Sequence, residues 1–247
     1  MIILAQTDRW LICGRPRSGK TNLMRHLIFS KYGDVDGYFI IYDPDHELGR
    51  WGLRVNSVDE VEEVFPDISN HIVYQPYVDL SFDERRDDFD DLCSYLNTLN
   101  LDFAFGIDEI SNISVTAKGV PVEISSSFKI SISRRGKRGM EIFVTSQKPK
   151  ESTVTYVSQC TKIGIFDIFP HDIVYIEEKI GITLPTETIN MEFGEKVRLR
   201  LDKYEFFIYD DITHEFKKYK LKYCSQAKHE LEYRGLDVPP SLMRKIK

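Results

Sequence analysis

The sequence predicts an α/β fold: a mostly parallel central sheet flanked by helices, with a C-terminal β-hairpin and a basic tail. Three observations predict it. Short, wholly apolar runs recur between helical stretches, the pattern of strands buried on both faces of a parallel sheet. A glycine loop, GRPRSGKT at 14–21, joins the first of these runs to the first helical stretch. The 247 residues, 42% hydrophobic and 29% charged, suffice for one sizeable core or two small ones.

Taken in order, Trp10–Cys13 predicts a strand that ends at Gly14, and Thr21–Ser30 a helix with Leu23, Leu27 and Ile28 on one side. Tyr38–Tyr42 is an apolar strand stopped by Asp43-Pro44. Asp59–Phe65 predicts a short helix and His71–Tyr74 a strand. Phe82–Leu99 is an amphipathic helix whose apolar positions include Phe89, Leu92, Leu96 and Leu99. Phe103–Ile107, Glu141–Thr145 and Lys162–Phe166 are the next buried strands, and Ile173–Ile180 a helix. Val197–Leu201 and Glu205–Tyr209 alternate, which predicts an antiparallel hairpin around Asp202-Lys203. Residues 1–212 are expected to form the domain, and 213–247 a basic tail or lid without a core of its own.

Composition removes several classes of function. No run approaches 18 apolar residues, which argues against a membrane span, and the N-terminal run is too short for a secretory signal. Cys13, Cys93, Cys160 and Cys224 show no C-x-x-C spacing, against a zinc ribbon or a disulfide scaffold. The six histidines show no paired metal spacing either. A soluble protein of a reducing cytoplasm is expected. Net charge is −6, but it is unevenly placed. Residues 79–91 carry seven acids and two arginines, whereas 129–150 carry seven Lys/Arg and one Glu. Lys217, Lys218, Lys220 and Lys222 add a further basic stretch. The local field, not the total, is what a phosphate backbone feels.

The loop at 14–21 matches G-x-x-x-x-G-K-[ST] in the strand-to-helix context that the motif requires. Its glycines let successive N–H groups converge on phosphate oxygens at a helix N-terminus. Gly14, Arg15, Pro16, Arg17, Ser18, Gly19, Lys20, Thr21 and Asn22 are therefore the candidate ATP-binding residues. Lys20 would reach the β- and γ-phosphates, and Thr21 would ligate Mg²⁺. FAFGIDE at 103–109 is an apolar strand ending in two acids. Asp108 is placed to hold the metal, directly or through water, and Glu109 to orient or deprotonate an attacking water. GMEIFVTSQKP at 139–149 is a strand that delivers Gln147 to the same rim, where its amide could bond the water or the γ-phosphate. Just before that strand, Arg134, Arg135 and Arg138 offer guanidinium groups suited to phosphoryl charge, or simply a solvated or DNA-facing loop. Trp10 and Trp51 are expected to pack rather than to stack on bases.

Phosphate loop, Asp-Glu strand, arginine segment and a strand ending Ser146-Gln147 before Pro149 occur here in the order of the FtsK/HerA superfamily of DNA-pumping ATPases, which the chain resembles. DPDHELG at 43–49 is similar to the D-P-x-x-E segment of HerA-like members, and EFFIYDD at 205–211 to the last core strand. The resemblance runs from about residue 8 to residue 212. It implies a RecA-like core, ATP and Mg²⁺ as cofactors, double-stranded DNA as partner and a homo-oligomeric, hexameric ring. With the phosphate loop at residue 14, the chain looks like a stripped core without an N-terminal domain. In that it resembles the genome-packaging ATPases of membrane-containing icosahedral viruses, which implies a capsid or membrane-vertex partner and the host cytoplasm or the virion as its place. These relatives often carry Arg-His-Tyr where this chain has Arg135-Gly136-Lys137-Arg138, so the trans-acting arginine stays open among Arg134, Arg135 and Arg138. Lys118, Lys148 and Lys150 follow core strands and are the candidate DNA contacts. A HerA-like or plasmid translocase in repair, replication or conjugation is the rival reading within the class. A small-molecule kinase or a non-motor ATP-binding switch is the rival outside it.

Overall fold

In β1 (Arg9–Cys13), Trp10 and Ile12 face one side of the sheet, Leu11 and Cys13 the other, and all four are buried. A strand apolar on both faces needs helices on both, and the chain supplies them. The structure, a computed structural model, describes residues 8–114, 125–134, 139–151, 154–191, 194–221 and 243–245. On the Trp10 face lies α1 (Lys20–Tyr32), with Leu23, Met24, Ile28 and Tyr32 turned inward. On the Leu11 face lie α2 (Val58–Val64), α3 (Phe82–Leu96), α5 (Ser126–Arg134) and α7 (Pro170–Ile180). Two short helices, α4 (Ser111–Ser114) and α6 (Val154–Val157), complete the set. Trp10 and Trp51 are 6% and 5% exposed and pack in the core, as expected of them.

The other strands are β2 (Phe39–Tyr42), β3 (Leu53–Val55), β4 (His71–Tyr74), β5 (Phe103–Ile107), β6 (Met140–Ser146) and β7 (Lys162–Ile165). After them come β8 (Thr186–Met191), β9 (Gly194–Leu199), β10 (Glu205–Asp210), β11 (Glu215–Leu221) and β12 (Met243–Lys245). Among the described residues the main sheet has ten strands in the order β12-β11-β10-β7-β1-β6-β5-β2-β4-β3. From β7 to β3 every pairing is parallel, while β10, β11 and β12 run antiparallel at one edge. The parallel strands all end at one rim, where Gly14, Asp43, Gln75, Asp108, Gln147 and Phe166 begin the loops.

Helix α3 begins at a reciprocal cap: Ser81 accepts from the Glu84 N–H, and the Glu84 side chain accepts from the Ser81 N–H. It ends at Leu96, short of the expected Leu99, because the Thr98 and Leu99 N–H groups bond the carbonyls three residues back, Tyr95 and Leu96, rather than four. Helix α5 escapes a sequence reading. Its apolar anchors, Phe128 and Ile132, sit four apart in a serine-rich run that resembles a loop.

The expected C-terminal hairpin is present, but it joins β8 to β9 and not Val197–Leu201 to Glu205–Tyr209. Strand β9 pairs instead with β8 in a separate two-stranded ribbon, from Thr186↔Leu199 to Met191↔Gly194. Strand β10 enters the main sheet between β7 and β11. A turn does lie between them, with the Glu205 N–H on the Asp202 carbonyl, but it redirects the chain from one sheet to the other. Phe206 and Phe207 explain the outcome: they are buried on opposite faces, so β10 needs a place inside a sheet covered on both sides. Period-two alternation marks a strand and does not name its partner. Of the expected tail 213–247, residues 215–221 form β11, whose Leu221 is 6% exposed and packs with the α1 face.

Candidate active site

Three neighbouring strands, β1, β6 and β5, bring the site together at their C-terminal ends. The loop after β1 is tied on both sides. Gly14 N–H bonds the Ser146 carbonyl of β6 at 3.1 Å, and Arg15 N–H bonds the Asp167 carbonyl after β7 at 2.8 Å. A Cβ at Gly14 would fall 2.6 Å from both Phe166 Cβ and Ser18 Oγ, so only glycine allows this approach. Gly19 caps α1 with φ 112°, a left-handed conformation, and offers no side-chain acceptor to the first-turn N–H groups. Those donors therefore point at whatever anion the loop encloses.

Lys20 is 7% exposed and its Nζ donates to the Arg15 carbonyl at 3.2 Å across the loop. Burial lowers its pKa, and Glu109 and Asp108 act in the opposite sense. Ser18 Oγ is buried inside the loop, with no hydrogen-bond partner among the described residues. Arg15 folds back on the loop after β7: its guanidinium lies 4.7 Å from the Phe169 ring, 3.3 Å from an Asp167 oxygen, and donates to the Ile168 carbonyl. Pro16, Arg17 and Asn22 are exposed, Arg17 with φ 62°.

Opposite the loop stand the two acids. The Thr21 hydroxyl donates to Asp108 Oδ1 at 3.1 Å, which joins the end of β5 to the start of α1. Burial is the main cause that raises the Asp108 carboxyl, to about 6; the Thr145 and Thr21 hydroxyls lower it, while Asp43 and Glu109 raise it further. A hydroxyl and a carboxylate at one point are the oxygen donors a hard divalent cation takes, and the unpartnered Ser18 hydroxyl suits phosphate oxygens. The residues present thus fit Mg²⁺ with a nucleoside triphosphate. Among the described residues no group of three or more His, Cys, Asp or Glu could hold a metal, so such a cation would draw further ligands from phosphate and water.

Glu109 is 8% exposed and holds φ 52°, a left-handed backbone rare for a residue with a side chain. Its carboxylate accepts the Gln147 N–H, 3.1 Å from each oxygen, and the Ser111 hydroxyl at 2.7 Å. Its N–H donates to Thr145 Oγ1 at 2.8 Å, and the Thr145 hydroxyl donates to Asp108 Oδ1 at 2.8 Å. Asp43, fully buried, accepts the N–H groups of Glu47 and Leu48 and the Gln75 amide, and so shapes the DPDHELG turn. The structure therefore gathers Lys20, Thr21, Asp108, Glu109 and Gln147 at one rim. Lys148 and Lys150 follow on the same loop, exposed, the Lys150 N–H bonded to Asp172. Arg134 is the last residue of α5, while Lys118, Arg135 and Arg138 lie outside the described residues. Thr145 and Ser111 are the site residues to which sequence reasoning gave no role, and Asp43 it marked only as a strand stop and part of the DPDHELG segment. Register could have found the first, because Ile107↔Val144 sets Asp108 beside Thr145.

No protein-family model matches the chain, and no curated protein does. Solved structures do. The genome-packaging NTPase B204 from Sulfolobus turreted icosahedral virus 2, in complex with ATP-γS, superposes with a TM-score of 0.60 at 15% identity, over 86% of this chain and 96% of that one. VirB4 of Thermoanaerobacter pseudethanolicus superposes with a TM-score of 0.61 at 9% identity, over 90% of each chain. The fold is the RecA-like P-loop fold that the resemblance implied. Among the described residues no helix is long and apolar enough to cross a membrane.

Proposed function

We propose that the protein hydrolyses ATP with Mg²⁺ and uses the cycle to move double-stranded DNA, as the genome-packaging motor of a virus. The observation that carries this reading is the meeting of Lys20, Thr21, Asp108, Glu109 and Gln147 across three adjacent strand ends. Lys20 and the first-turn N–H groups of α1 hold the β- and γ-phosphates. Thr21 and Asp108 hold the cation, which when bound supplies charge neutralisation to the phosphate oxygens. Glu109 takes the proton of the attacking water, and Gln147, whose N–H already touches Glu109, reports the state of the γ-phosphate to its loop. The charge on the transferring phosphoryl is met by an arginine of the 134–138 segment of a neighbouring subunit, Arg135 first and Arg138 next. That assignment makes a hexameric ring the working form. Lys118, Lys148 and Lys150 are the proposed DNA contacts, which hold it by its backbone without regard to sequence.

The likeness to B204, over 96% of that chain, supports the packaging reading through a shared fold, and that to VirB4, over 90% of that chain, supports the same fold. The paired Asp108-Glu109 favours hydrolysis over transfer to a small-molecule acceptor, since a transfer enzyme must keep water from the phosphoryl group. Lys20→Ala should abolish hydrolysis and weaken nucleotide binding. Glu109→Gln should bind ATP almost normally and turn over at least about 10²-fold more slowly, since binding and proton removal are separate tasks. Normal turnover by Glu109→Gln would remove Glu109 from that role.

A further inference from the structure

The geometry points to Thr145 as the positioning residue for Glu109, an inference that rests on the hydrolysis proposed above. Glu109 must keep a left-handed backbone, φ 52°, while its carboxylate stays at the rim. Sterics disfavour that conformation for a residue with a Cβ, so neighbours have to impose it. Strand β6 grips Glu109 at both ends. Its Thr145 Oγ1 accepts the Glu109 N–H at 2.8 Å, and the N–H of Gln147, the residue just after the strand, donates to the carboxylate at 3.1 Å. The flanking residues are pinned as well: Asp108 N–H bonds the Tyr42 carbonyl of β2, and Ile110 N–H bonds the Thr145 carbonyl of β6.

Proton accounting makes the Thr145 bond directional. A threonine hydroxyl has one proton, and Thr145 gives it to Asp108 Oδ1 at 2.8 Å. Its lone pairs are therefore what the Glu109 N–H meets, giving a chain from Glu109 N–H through Thr145 to Asp108. Thr145 is fully buried, so no water can take over either bond. Both hydroxyls on Asp108, from Thr145 and Thr21, fall on Oδ1, which leaves Oδ2 for a cation or its water. The β-branched side chain also suits the task, since its χ1 is stiff and holds the hydroxyl in one direction. Through this one residue the strand that ends at Gln147 sets the backbone of the general base.

The test measures turnover and the binding of a fluorescent ATP analogue for wild type, Thr145→Val, Thr145→Ser and Thr145→Ala, alone and combined with Glu109→Gln. Valine keeps the shape and removes the hydroxyl, while alanine leaves space and serves if valine does not fold. Thr145→Val should lower kcat by about 10²-fold, the scale of a misplaced catalytic group, with analogue affinity within about threefold of wild type. Thr145→Ser should recover most of the lost rate. In the Glu109→Gln background Thr145→Val should add less than about a threefold further loss, because both changes disable one group. Equal kcat in wild type and the folded Val or Ala variant would overturn the assignment, as would full additivity with Glu109→Gln or loss of analogue binding in step with rate. Wild type that binds the analogue without turning over would instead overturn the hydrolysis reading itself.

Discussion

Asp108 is 7% exposed, and burial among Asp43 and Glu109 raises its carboxyl from 3.8 to about 6. The folded chain therefore holds this proton more tightly than the unfolded chain does. Stability falls as pH rises from about 4 to about 6 and then stays lower, by on the order of 2–3 kcal/mol at neutral pH. Asparagine can still accept from Thr21 and Thr145 and carries no charge. Asp108→Asn should thus raise the melting temperature by several degrees at pH 7 in the presence of a chelator, with the gain gone near pH 4. Equal melting temperatures at pH 7 would show that the carboxylate is not a stored cost. At this scale the sequence was informative where a spacing names a chemistry. G-x-x-x-x-G-K-T and Asp108-Glu109 announce Lys20, Thr21 and both acids. Thr145 and Ser111 announce nothing, since their roles come from hydrogen bonds that only strand register and a turn create.

Elements were legible where hydrophobic period and strand length agreed. His71–Tyr74 and Phe103–Ile107 match their predicted bounds, because Ile72–Tyr74 and the five residues of β5 are buried runs that fit a strand covered on both faces. Helix α5 was not legible for the opposite reason, its two anchors being diluted by serines. Strands β8 to β11 show a further limit, that a strand's own pattern leaves its partner open. The consequence for the C-terminal region is physical. Strand β11 pairs with β10 along Glu205↔Lys220 to Asp210↔Glu215, and Leu221 Cδ1 lies 3.0 Å from where a Cβ on Gly19 would stand. Ending the chain after residue 212 removes that strand and uncovers Phe206 and Phe166 beside the phosphate loop. The shortened chain should lose its soluble, cooperative melting transition. A truncated protein that melts like the full chain would make residues 213–247 the separate tail that composition suggested.

On the scale of the whole molecule, strand order decides the chemistry, because β6 between β1 and β5 sets Gln147 between the phosphate loop and the acids. Nothing in hydrophobic period specifies that order, and the motifs read from the sequence give an order along the chain rather than across the sheet. The proposed arginine from a neighbour extends the site beyond one chain, and related chemistry assigns such a group about 10³–10⁵ in rate. Mixing Arg135→Ala with Lys20→Ala subunits, each inactive alone, should restore part of the activity, since some interfaces pair an intact Lys20 with an intact Arg135. Verified mixed rings that stay inactive would refute the sharing. The claim on which the rest depends is that hydrolysis serves DNA movement, and steady-state ATP turnover with and without duplex DNA tests it most directly. The account predicts that duplexes of unrelated sequence raise the rate alike, and that rising salt removes the stimulation steeply as phosphate contacts are lost. A rate unchanged by duplex DNA at low salt, in protein that hydrolyses ATP, would contradict it.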